Sequence, residues 1–303
     1  MHEQLIGIVI RSQSGFYTVQ TPIGEFICRL RGRLMKGKRV GDVVAVGDRV
    51  RVLETGGENG VIEAVEERKS KISRMAPRPQ GDYQQILIAN PDQVVLVFSC
   101  ARPKPRFGML DRFLVIVEKQ LLPAIIVANK VDLVTLDEAQ SMFQVYTRLG
   151  YACIYTSTRN GLGIATLKAQ LANKISLLTG PSGAGKTSLL NAIQPELGLA
   201  VRSVSETTTK GRHTTVVREL FPLDGGGFVA DTPGLKALGL WDIEAEELDG
   251  YFRELSKLVE HCQFSDCTHV SEPGCAVRLA LQDGEIDPRR YQSYIRMRFG
   301  EVE

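Results

Sequence analysis

Residues 180–187 read Gly-Pro-Ser-Gly-Ala-Gly-Lys-Thr, which matches the P-loop pattern G-x-x-x-x-G-K-[ST]. The apolar run Ile175–Thr179 predicts a buried strand directly before this segment, and Lys186–Ile193 predicts a helix directly after it. In that context the backbone N–H groups of the loop and the helix N-terminus converge on phosphate oxygens. We therefore expect a nucleotide-binding domain in which Lys186 reaches the β- and γ-phosphates and Thr187 offers its hydroxyl to Mg²⁺.

A second phosphate-binding segment, Asp231–Gly234 (DTPG), follows the short β-type run Phe228–Ala230. A carboxylate at a strand end beside a P-loop commonly supports Mg²⁺, and a glycine lets the backbone approach a γ-phosphate closely. Between the two segments lies the polar stretch 207–215. We expect it to be a switch in which Thr214, rather than Thr215, completes the Mg²⁺ shell while a γ-phosphate is present. The alternative is an ordinary surface loop.

A base site is predicted by Asn129–Asp132 (NKVD), which follows the buried run Ala124–Ala128. The carboxylate of Asp132 can accept hydrogen bonds from N1–H and N2–H₂ of guanine, whereas adenine offers neither donor. A site that leaves a buried polar group unpaired rejects the wrong ligand strongly. We expect Asn129 to brace the site and Lys130 to pack across the base. Together with the P-loop, this motif favours GTP over ATP.

The order of the motifs is unusual, because NKVD precedes the P-loop here and follows it in ordinary GTPases. Ser157, after the predicted strand Ala152–Thr156, also precedes the P-loop and would bring a backbone N–H to guanine O6. Binding depends on positions in space, and domain termini often lie close together. The pattern therefore indicates a circularly permuted GTPase. The candidate GTP-binding residues are Asn129, Lys130, Asp132, Ser157, Gly180, Pro181, Ser182, Gly183, Ala184, Gly185, Lys186, Thr187, Ser188, Asp231 and Gly234.

Around these motifs, buried β-type runs alternate with amphipathic segments, which predicts parallel βαβ units. The predicted strands are 93–99, 124–128, 152–156 and 175–179, and the predicted helices are 107–121, 137–149, 163–173 and 186–193. A closing helix is predicted at Pro288–Met297.

The first 70 residues have a different pattern, with short β-type runs separated by glycine turns. These runs are Leu5–Ile10, Phe16–Thr21, Glu25–Leu30, Val43–Val46, Asp48–Leu53 and Gly60–Val65. Five or six short strands fit a small barrel, of which the OB-fold is the common nucleic-acid-binding form. The stretch Lys71–Gln85, which contains Pro77 and Pro79, predicts a linker.

Charge is uneven along the chain, although the net charge is only +2. Residues 1–80 hold fourteen Lys and Arg against nine Asp and Glu, and the other 223 residues hold twenty-three against twenty-six. Six of the basic residues lie between Phe26 and Gly41 with no acid among them: Arg29, Arg31, Arg33, Lys36, Lys38 and Arg39. This predicts a polyanion-binding module, with a solvated loop as the alternative.

A metal site is predicted near the C-terminus by the spacing Cys262-x₄-Cys267-x-His269-x₅-Cys275. Three thiolates and one imidazole form a closed tetrahedral zinc set, which leaves no position for water and is therefore structural. Three free cysteines beside a histidine are the alternative. The cysteines elsewhere stand singly in apolar surroundings and are predicted to be core residues: Cys28, Cys100 and Cys153.

Length and composition are those of a folded multidomain protein. The chain has 303 residues, of which 43% are hydrophobic and 24% are charged, so disorder is excluded as its main state. The apolar runs 94–101 and 121–128 are each about one buried strand long and too short to cross a bilayer. The first residues lack the basic start and apolar run of a signal peptide. We expect a cytoplasmic protein without a membrane partner.

Taken together, the barrel-like start, NKVD before the P-loop, the segment Gly211–Thr215 (GRHTT), DTPG and the cysteine spacing resemble one family. This is the small-ribosomal-subunit-dependent GTPase A family of bacteria, also called RsgA or YjeQ, and the resemblance covers essentially the whole chain. It implies an OB-fold barrel at 1–70, a circularly permuted α/β P-loop GTPase domain at 71–240 and a helical zinc-binding domain at 241–303.

The resemblance also implies a function. Family members bind the immature small (30S) ribosomal subunit and its 16S rRNA, act late in its maturation, and hydrolyse GTP to GDP and phosphate when the ribosome stimulates them, which would drive release. It implies a monomer with one structural Zn²⁺ and with Mg²⁺ bound beside GTP. The basic segment Arg29–Arg39 would face rRNA, and Thr187 and Asp231 would hold Mg²⁺.

The catalytic step is less completely specified by the sequence. The resemblance assigns it to Lys186, Thr187, Thr214 and His213. Leu235 follows DTPG, where many GTPases carry a glutamine that orients water, and leucine cannot do so. Either His213 or a group that only the ribosome positions must take that role.

Two other functions fit parts of the sequence. A zinc-stabilised RNA-binding scaffold could use GTP only as a structural ligand, and it predicts no ribosomal stimulation of hydrolysis. A GTPase acting on tRNA or on translating ribosomes is the second alternative. The tRNA version predicts an added chemistry domain, for which the sequence has no unassigned segment large enough.

Overall fold

Five short strands with alternating burial close into a barrel at the N-terminal end of the computed structural model, which describes residues 4–35, 41–78, 81–198, 219–231 and 243–300. The strands are β1 (Gln4–Gln13), β2 (Phe16–Thr21), β3 (Gly24–Leu30), β4 (Arg49–Gly56) and β5 (Asn59–Val65). Their order is β1-β2-β3-β5-β4, and β3 and β5 pair in parallel. Inward side chains such as Val19, Val52 and Ile62 are fully buried. The predicted OB-type barrel is confirmed.

The strand predicted at Val43–Val46 is wrong, because this segment forms a turn. A buried carboxylate holds the turn: Asp48 accepts a hydrogen bond from the backbone N–H of Ala45 at 2.7 Å and receives two further bonds from the Arg68 guanidinium, both at 2.7 Å. Such side-chain bonds to the local backbone compete with strand pairing.

The linker predicted at Lys71–Gln85 is also wrong. The chain there forms an antiparallel hairpin of β6 (Lys71–Arg78) and β7 (Gly81–Ala89). Two facts explain the error. Ile72 and Ile88 are buried and anchor the base of the hairpin in the core. A two-stranded ribbon has only edge strands, where proline is tolerated, so Pro77 did not exclude a strand.

The central domain is an α/β sandwich around a sheet of order β10-β9-β8-β11-β13-β12, parallel except for β12. Its strands are β8 (Gln93–Ser99), β9 (Ala124–Asn129), β10 (Ala152–Thr156), β11 (Ile175–Thr179), β12 (Phe221–Pro222) and β13 (Phe228–Asp231). Its helices are α1 (Phe107–Lys119), α2 (Leu136–Arg148), α3 (Ile164–Leu171) and α4 (Lys186–Ile193). The predicted alternation of strands and helices is confirmed. Among the described helices, none combines the length and the apolar character needed to cross a membrane.

Both faces of the sheet are buried, which explains the continuous apolar runs in its strands. Leu96 and Phe98 of β8 pack in the core with α1 and α2. Val95 and Val97, on the opposite face, pack with α3 and α4. Because these strands are parallel, their carboxyl ends lie at one edge of the sheet, and the loops that follow them meet there.

The barrel contacts the edge of the central domain through a short backbone pairing. The N–H of Leu220 donates to the carbonyl of Ile10 on β1 at 2.7 Å. Beside it, the guanidinium of Arg11 forms an ion pair with Glu219. The end of β1 is thus fixed to the segment that leads into β12.

The C-terminal part is built from short helices around a small apolar core. They are the 3-10 helices Ala245–Tyr251 and Val259–His261 and the α-helices α5 (Arg253–Ser256), α6 (Ala276–Gln282) and α7 (Pro288–Phe299). Phe252 and Tyr294 are fully buried at its centre, and Val115 of α1 belongs to the same cluster. The C-terminal core is therefore continuous with the central domain.

A buried ion network joins these two parts. Arg290 of α7 is 1% exposed, and its guanidinium donates to Asp111 of α1 at 2.7 Å and to Glu254 of α5 at 2.6 Å. The hydroxyl of Tyr146 on α2 donates to the same carboxylate of Asp111 at 2.8 Å. Burial raises the pKa of Asp111, and the guanidinium opposes that shift. The network therefore joins α1 and α2 of the central domain to α5 and α7 of the C-terminal part.

We predict that Arg290→Met lowers the free energy of unfolding by about 3–5 kcal/mol, because removing one partner leaves two buried carboxylates uncompensated. Arg289→Met is the matched control, since the side chain of Arg289 is 57% exposed and pairs only with Asp287 among the described ion pairs. The control should change stability by less than about 1 kcal/mol. Urea unfolding followed by circular dichroism measures both, and equal midpoints would contradict the prediction.

Candidate GTP-binding site and metal centre

The predicted nucleotide-binding residues meet at the carboxyl edge of the parallel strands. β11 leads into the P-loop. β8 lies between β11 and β9 in the sheet, and β9 ends at Asn129. β10 follows, and Ser157 comes directly after it. Ligands of open α/β sheets bind at this edge. The structure therefore brings together segments that are more than twenty residues apart in sequence.

The P-loop has the backbone that its glycines permit. Gly180 has φ of +145°, and a Cβ at this position would lie 2.0 Å from the carbonyl oxygen of Val97. Gly185 has φ of +95° directly before α4 begins. The side chain of Lys186 folds along the loop, where its ammonium donates to the carbonyls of Gly180 at 2.9 Å and Pro181 at 3.1 Å. The lysine charge thus lies over the loop at the start of the helix.

Asn129 connects the base motif to the P-loop. Its side chain is buried; Nδ2 donates to the carbonyl of Ala184 at 2.8 Å, and Oδ1 accepts from the hydroxyl of Thr156 at 3.0 Å. A Cβ on Gly185 would lie 2.4 Å from the Asn129 amide nitrogen, so the amide needs a glycine there. One side chain therefore holds the P-loop, the end of β9 and the end of β10 together.

Val131 of the base motif is buried in the core, whereas Lys130 and Asp132 reach towards the surface. Lys130 has φ of 62°, and its ammonium donates to the carbonyls of Gly183 at 2.7 Å and Arg102 at 2.5 Å. Burial lowers the pKa of Lys130, and the charge of Asp132 acts in the opposite direction. Asp132 is exposed and accepts from the Ser157 hydroxyl at 2.6 Å. The exposed carboxylate is available for two donors on one edge of a base.

Several predicted residues fall outside what the structure describes. These are Lys36, Lys38 and Arg39 of the basic segment, His213 and Thr214 of the predicted switch, and Gly234 and Leu235. Asp231 ends β13, next to Leu178 in the parallel register with β11, but its side chain is not among those described. Their roles stay predictions.

Among the described arginines of the basic segment, two are engaged with a buried carboxylate. Arg31 and Arg33 both form ion pairs with Glu63, which is 5% exposed. Arg29 differs, because its guanidinium lies over the ring of Phe16, 4.6 Å from the ring centroid. The cation of Arg29 therefore stays on the outer surface of the barrel.

The four predicted metal ligands form one cluster. The ligand atoms of Cys262, Cys267, His269 and Cys275 all lie within 4.8 Å of one another. Nδ1 of His269 is 3.6 Å from the sulfur of Cys262 and 3.4 Å from that of Cys275, and these two sulfurs are 4.0 Å apart. A tetrahedral zinc site with Zn–S bonds of about 2.3 Å has S···S edges of roughly 3.8 Å. The cluster could hold a zinc ion.

Side chains outside the ligand motif fix the imidazole of His269. Its Nε2 is 3.0 Å from a carboxylate oxygen of Asp249, which leaves Nδ1 to face the sulfurs. The hydroxyl of Tyr291 on α7 donates to the His269 carbonyl at 2.6 Å, and Tyr294 donates to that of Thr268 at 3.1 Å. A carboxylate on the far nitrogen of a ligating histidine sets its tautomer and orientation.

Two functional contacts were missed by the sequence reasoning. Thr156 was recognised only as a neighbour of Ser157, although it holds Asn129 in place. Asp249 was not considered, because it precedes His269 by twenty residues and belongs to no spacing pattern. A sequence offers no signal for such a pairing until the path of the chain is known.

Comparison with known families and proteins agrees with this architecture. The profile of the family described as RsgA GTPase matches residues 65–241, and that of the RsgA N-terminal domain matches residues 6–62. A Gemmatimonas aurantiaca protein named small ribosomal subunit biogenesis GTPase RsgA is 44% identical, over 96% of each chain. A Phocaeicola vulgatus protein of the same name is 38% identical, over 96% of this chain and 95% of its own.

Solved structures give the same result. YjeQ from Thermotoga maritima superposes with a TM-score of 0.79 at 38% identity, over 98% of both chains. YloQ, described as a circularly permuted GTPase, superposes with a TM-score of 0.75 at 31% identity, over 99% of this chain and 95% of its own. The predicted permutation is therefore confirmed. With profiles, relatives and structures in agreement over nearly its full length, the chain belongs to the RsgA GTPase family.

Proposed function

We propose that this GTPase binds the small (30S) ribosomal subunit through 16S rRNA, assists a late step of its maturation, and leaves it when GTP is hydrolysed to GDP and phosphate. The observation that carries the proposal is the full-length match to relatives named for small ribosomal subunit biogenesis. Barrel, GTPase domain and cysteine cluster occur together in this chain. We propose that the protein is a cytoplasmic monomer. We also propose that its three domains meet near residues 70 and 240.

In the proposed site, guanine binds against Asp132, Lys130 packs across the base, and the backbone after β10 at Ser157 meets guanine O6. The phosphates lie in the loop 180–188, where Lys186 neutralises their charge. The fixed bridge of Asn129 supports this assignment, because it sets the base loop and the phosphate loop at one distance from each other.

Mg²⁺ accompanies GTP in this enzyme class and neutralises charge on the phosphates. We propose that Thr187 and Asp231 hold it. Thr187 lies in the first turn of α4 and Asp231 ends the strand paired with β11, so both occupy the edge of the sheet where the phosphates would lie. Hydroxyl and carboxylate oxygens are the hard ligands that Mg²⁺ prefers.

For the hydrolytic step we propose that Thr214 belongs to the switch and that His213, or a group positioned by the ribosome, orients the attacking water. The apolar Leu235 supports a low intrinsic rate, because it offers no hydrogen bond to water. Where the ribosome supplies that group, fast turnover depends on the partner.

We further propose that the cysteine cluster binds one structural Zn²⁺. Three sulfurs and one imidazole fill a tetrahedral set, and two of the four ligands, Cys267 and Cys275, are each 6% exposed. The ion would hold the short helices of the C-terminal part, which have a small core of their own.

The decisive measurement is the rate of GTP hydrolysis with and without purified small subunits, at low and at moderate salt. We expect a large stimulation that weakens as salt rises, because contacts with rRNA phosphates release counterions. Equal rates under all conditions would instead support a scaffold that uses GTP only as a structural ligand. Stimulation by tRNA or by translating 70S ribosomes, but not by small subunits, would support the remaining alternative.

For the base site, we predict that Asp132→Asn weakens GTP binding ~100-fold or more, because two hydrogen bonds to a charged acceptor contribute about 1.5–3 kcal/mol each. The same variant should gain affinity for xanthosine triphosphate, whose O2 accepts from the new amide. Asp137→Asn, an exposed aspartate on α2, is the control and should change neither affinity. Fluorescent nucleotide titrations measure both ligands, and an unchanged preference for GTP would remove Asp132 from the base site.

For the metal centre, we predict that the purified chain holds one zinc per molecule and that Asp249→Asn weakens zinc binding by about 10–100-fold. The carboxylate orients His269 and increases its basicity, and an amide does this less well. Asp283→Asn, after the end of α6, is the control. Competition with a chromogenic chelator measures affinity, and loss of zinc should lower the melting temperature. Equal zinc affinity in both variants would show that Asp249 does not orient the ligand.

A further inference from the structure

The outer face of the barrel carries a groove that none of the predicted motifs includes. It has a volume of about 340 Å³, opens to solvent and is lined by six residues of β1, β2, β3 and the turn after β1: Arg11, Gln13, Ser14, Phe16, Thr18 and Ile27. The strand register brings these residues together, since Gln13 lies opposite Phe16, and Thr18 lies opposite both Arg11 and Ile27. Their neighbours Val19 and Cys28 point inward and are fully buried, so the groove residues face outward.

Two large apolar side chains remain exposed in this groove. Phe16 is 42% exposed and Ile27 is 50% exposed. Both lie on the outer face of the barrel, where the alternating side chains of a strand are ordinarily polar and meet water. Exposed apolar groups that share one concave surface, with polar groups around them, mark a binding surface.

The polar groups around the two apolar side chains select the chemistry of the partner. The guanidinium of Arg29 lies over the Phe16 ring, 4.6 Å from its centroid, and adds a cation beside the ring. Arg11 lines the groove on the other side, and its ion pair with Glu219 holds it at the edge. The charge of Glu25 also raises the pKa of Arg11. None of the described residues that line the groove is an acid. Hydroxyl and amide groups of Thr18, Ser14 and Gln13 complete the lining.

We propose that this groove, with Phe16 and Arg29 near the turn after β1 and Arg11 opposite Thr18, is a stacking platform for an unpaired nucleotide of RNA. The inference rests on the proposed function and deepens it by naming the part of the barrel that contacts a single strand. Bases of single-stranded RNA stack on aromatic rings and on guanidinium planes, while arginines contact the adjacent phosphates. A duplex cannot use the platform, because its base faces are covered by their neighbours.

Among the described residues, this surface shares only Arg29 with the basic segment from which the sequence predicted RNA binding. Arg31 and Arg33 are held by Glu63, whereas Arg29 alone of these three stands beside an exposed aromatic ring. Phe16 would contribute stacking, and Arg29 would contribute a phosphate contact. Only the phosphate contact would weaken as salt rises.

The test uses the full chain and a fluorescein-labelled oligouridylate of about 12 nucleotides, a length within the range that such barrels cover. Fluorescence anisotropy gives the affinity at about 50 mM and 200 mM salt. We expect Phe16→Ala to weaken binding ~10-fold or more at both salt concentrations, and Phe16→Trp to restore it, because stacking is independent of charge. Arg29→Gln should reduce the slope of log affinity against log salt by about 0.7.

Matched controls lie on the same barrel. Ile23→Ala removes an apolar side chain that is 67% exposed at the β2–β3 turn, and it should change affinity by less than about threefold. Arg51→Gln removes an exposed arginine of β4 outside the groove and should leave the salt slope unchanged. GTP hydrolysis without ribosomes and the circular dichroism spectrum should be equal in all of these variants, which shows that the central domain and the barrel are both folded.

Equal RNA affinity of Phe16→Ala and the unchanged chain would overturn the proposal, and so would equal losses in Phe16→Ala and Ile23→Ala. If the chain binds small subunits through Phe16 but does not bind the oligonucleotide, the groove contacts a ribosomal protein and the RNA assignment is wrong. Stimulation of GTP hydrolysis by small subunits is scored separately. It can persist when the groove proposal fails, and it can be absent while Phe16-dependent RNA binding remains.

Discussion

The proposed nucleotide site depends on one buried amide, the side chain of Asn129. It accepts from Thr156 at the end of β10 and donates to Ala184 in the P-loop, so three loops share one reference point. The contact is possible only because Gly185 has no Cβ, which would lie 2.4 Å from the amide nitrogen. An unsatisfied buried amide is costly, and this one is satisfied on both sides. The distance between the base and phosphate positions is therefore set before any nucleotide binds.

This arrangement explains how a chain with a permuted order of motifs can still bring the base motif and the P-loop together. β9 and β11 flank β8, so the base loop and the P-loop leave strands that are two apart in the sheet. The bridge through Asn129 spans that interval in space, whichever motif comes first in the chain. What permutation changes is the connection after Asp231, which in this chain leads towards the C-terminal part rather than into the next strand of the domain.

The sequence was sufficient where chemistry requires adjacent residues. The P-loop, NKVD and the cysteine spacing each lie within fourteen residues, and the structure brings each set together. It was insufficient where the determining contact is distant. Asp48 makes a turn of Val43–Val46 because Arg68, twenty residues on, neutralises its carboxylate. Asp249 likewise meets His269 only after the chain has folded. Local patterns cannot contain such partners.

The C-terminal part is fixed to the central domain by buried contacts of α7. In the structure Arg290 is buried between Asp111 and Glu254, and the neighbouring Tyr291 holds the loop of His269. One helix, α7, thus fastens the cluster of cysteines and His269 to the central domain. A buried ion pair is costly to break, so a displacement of the C-terminal part requires α1 to move with it.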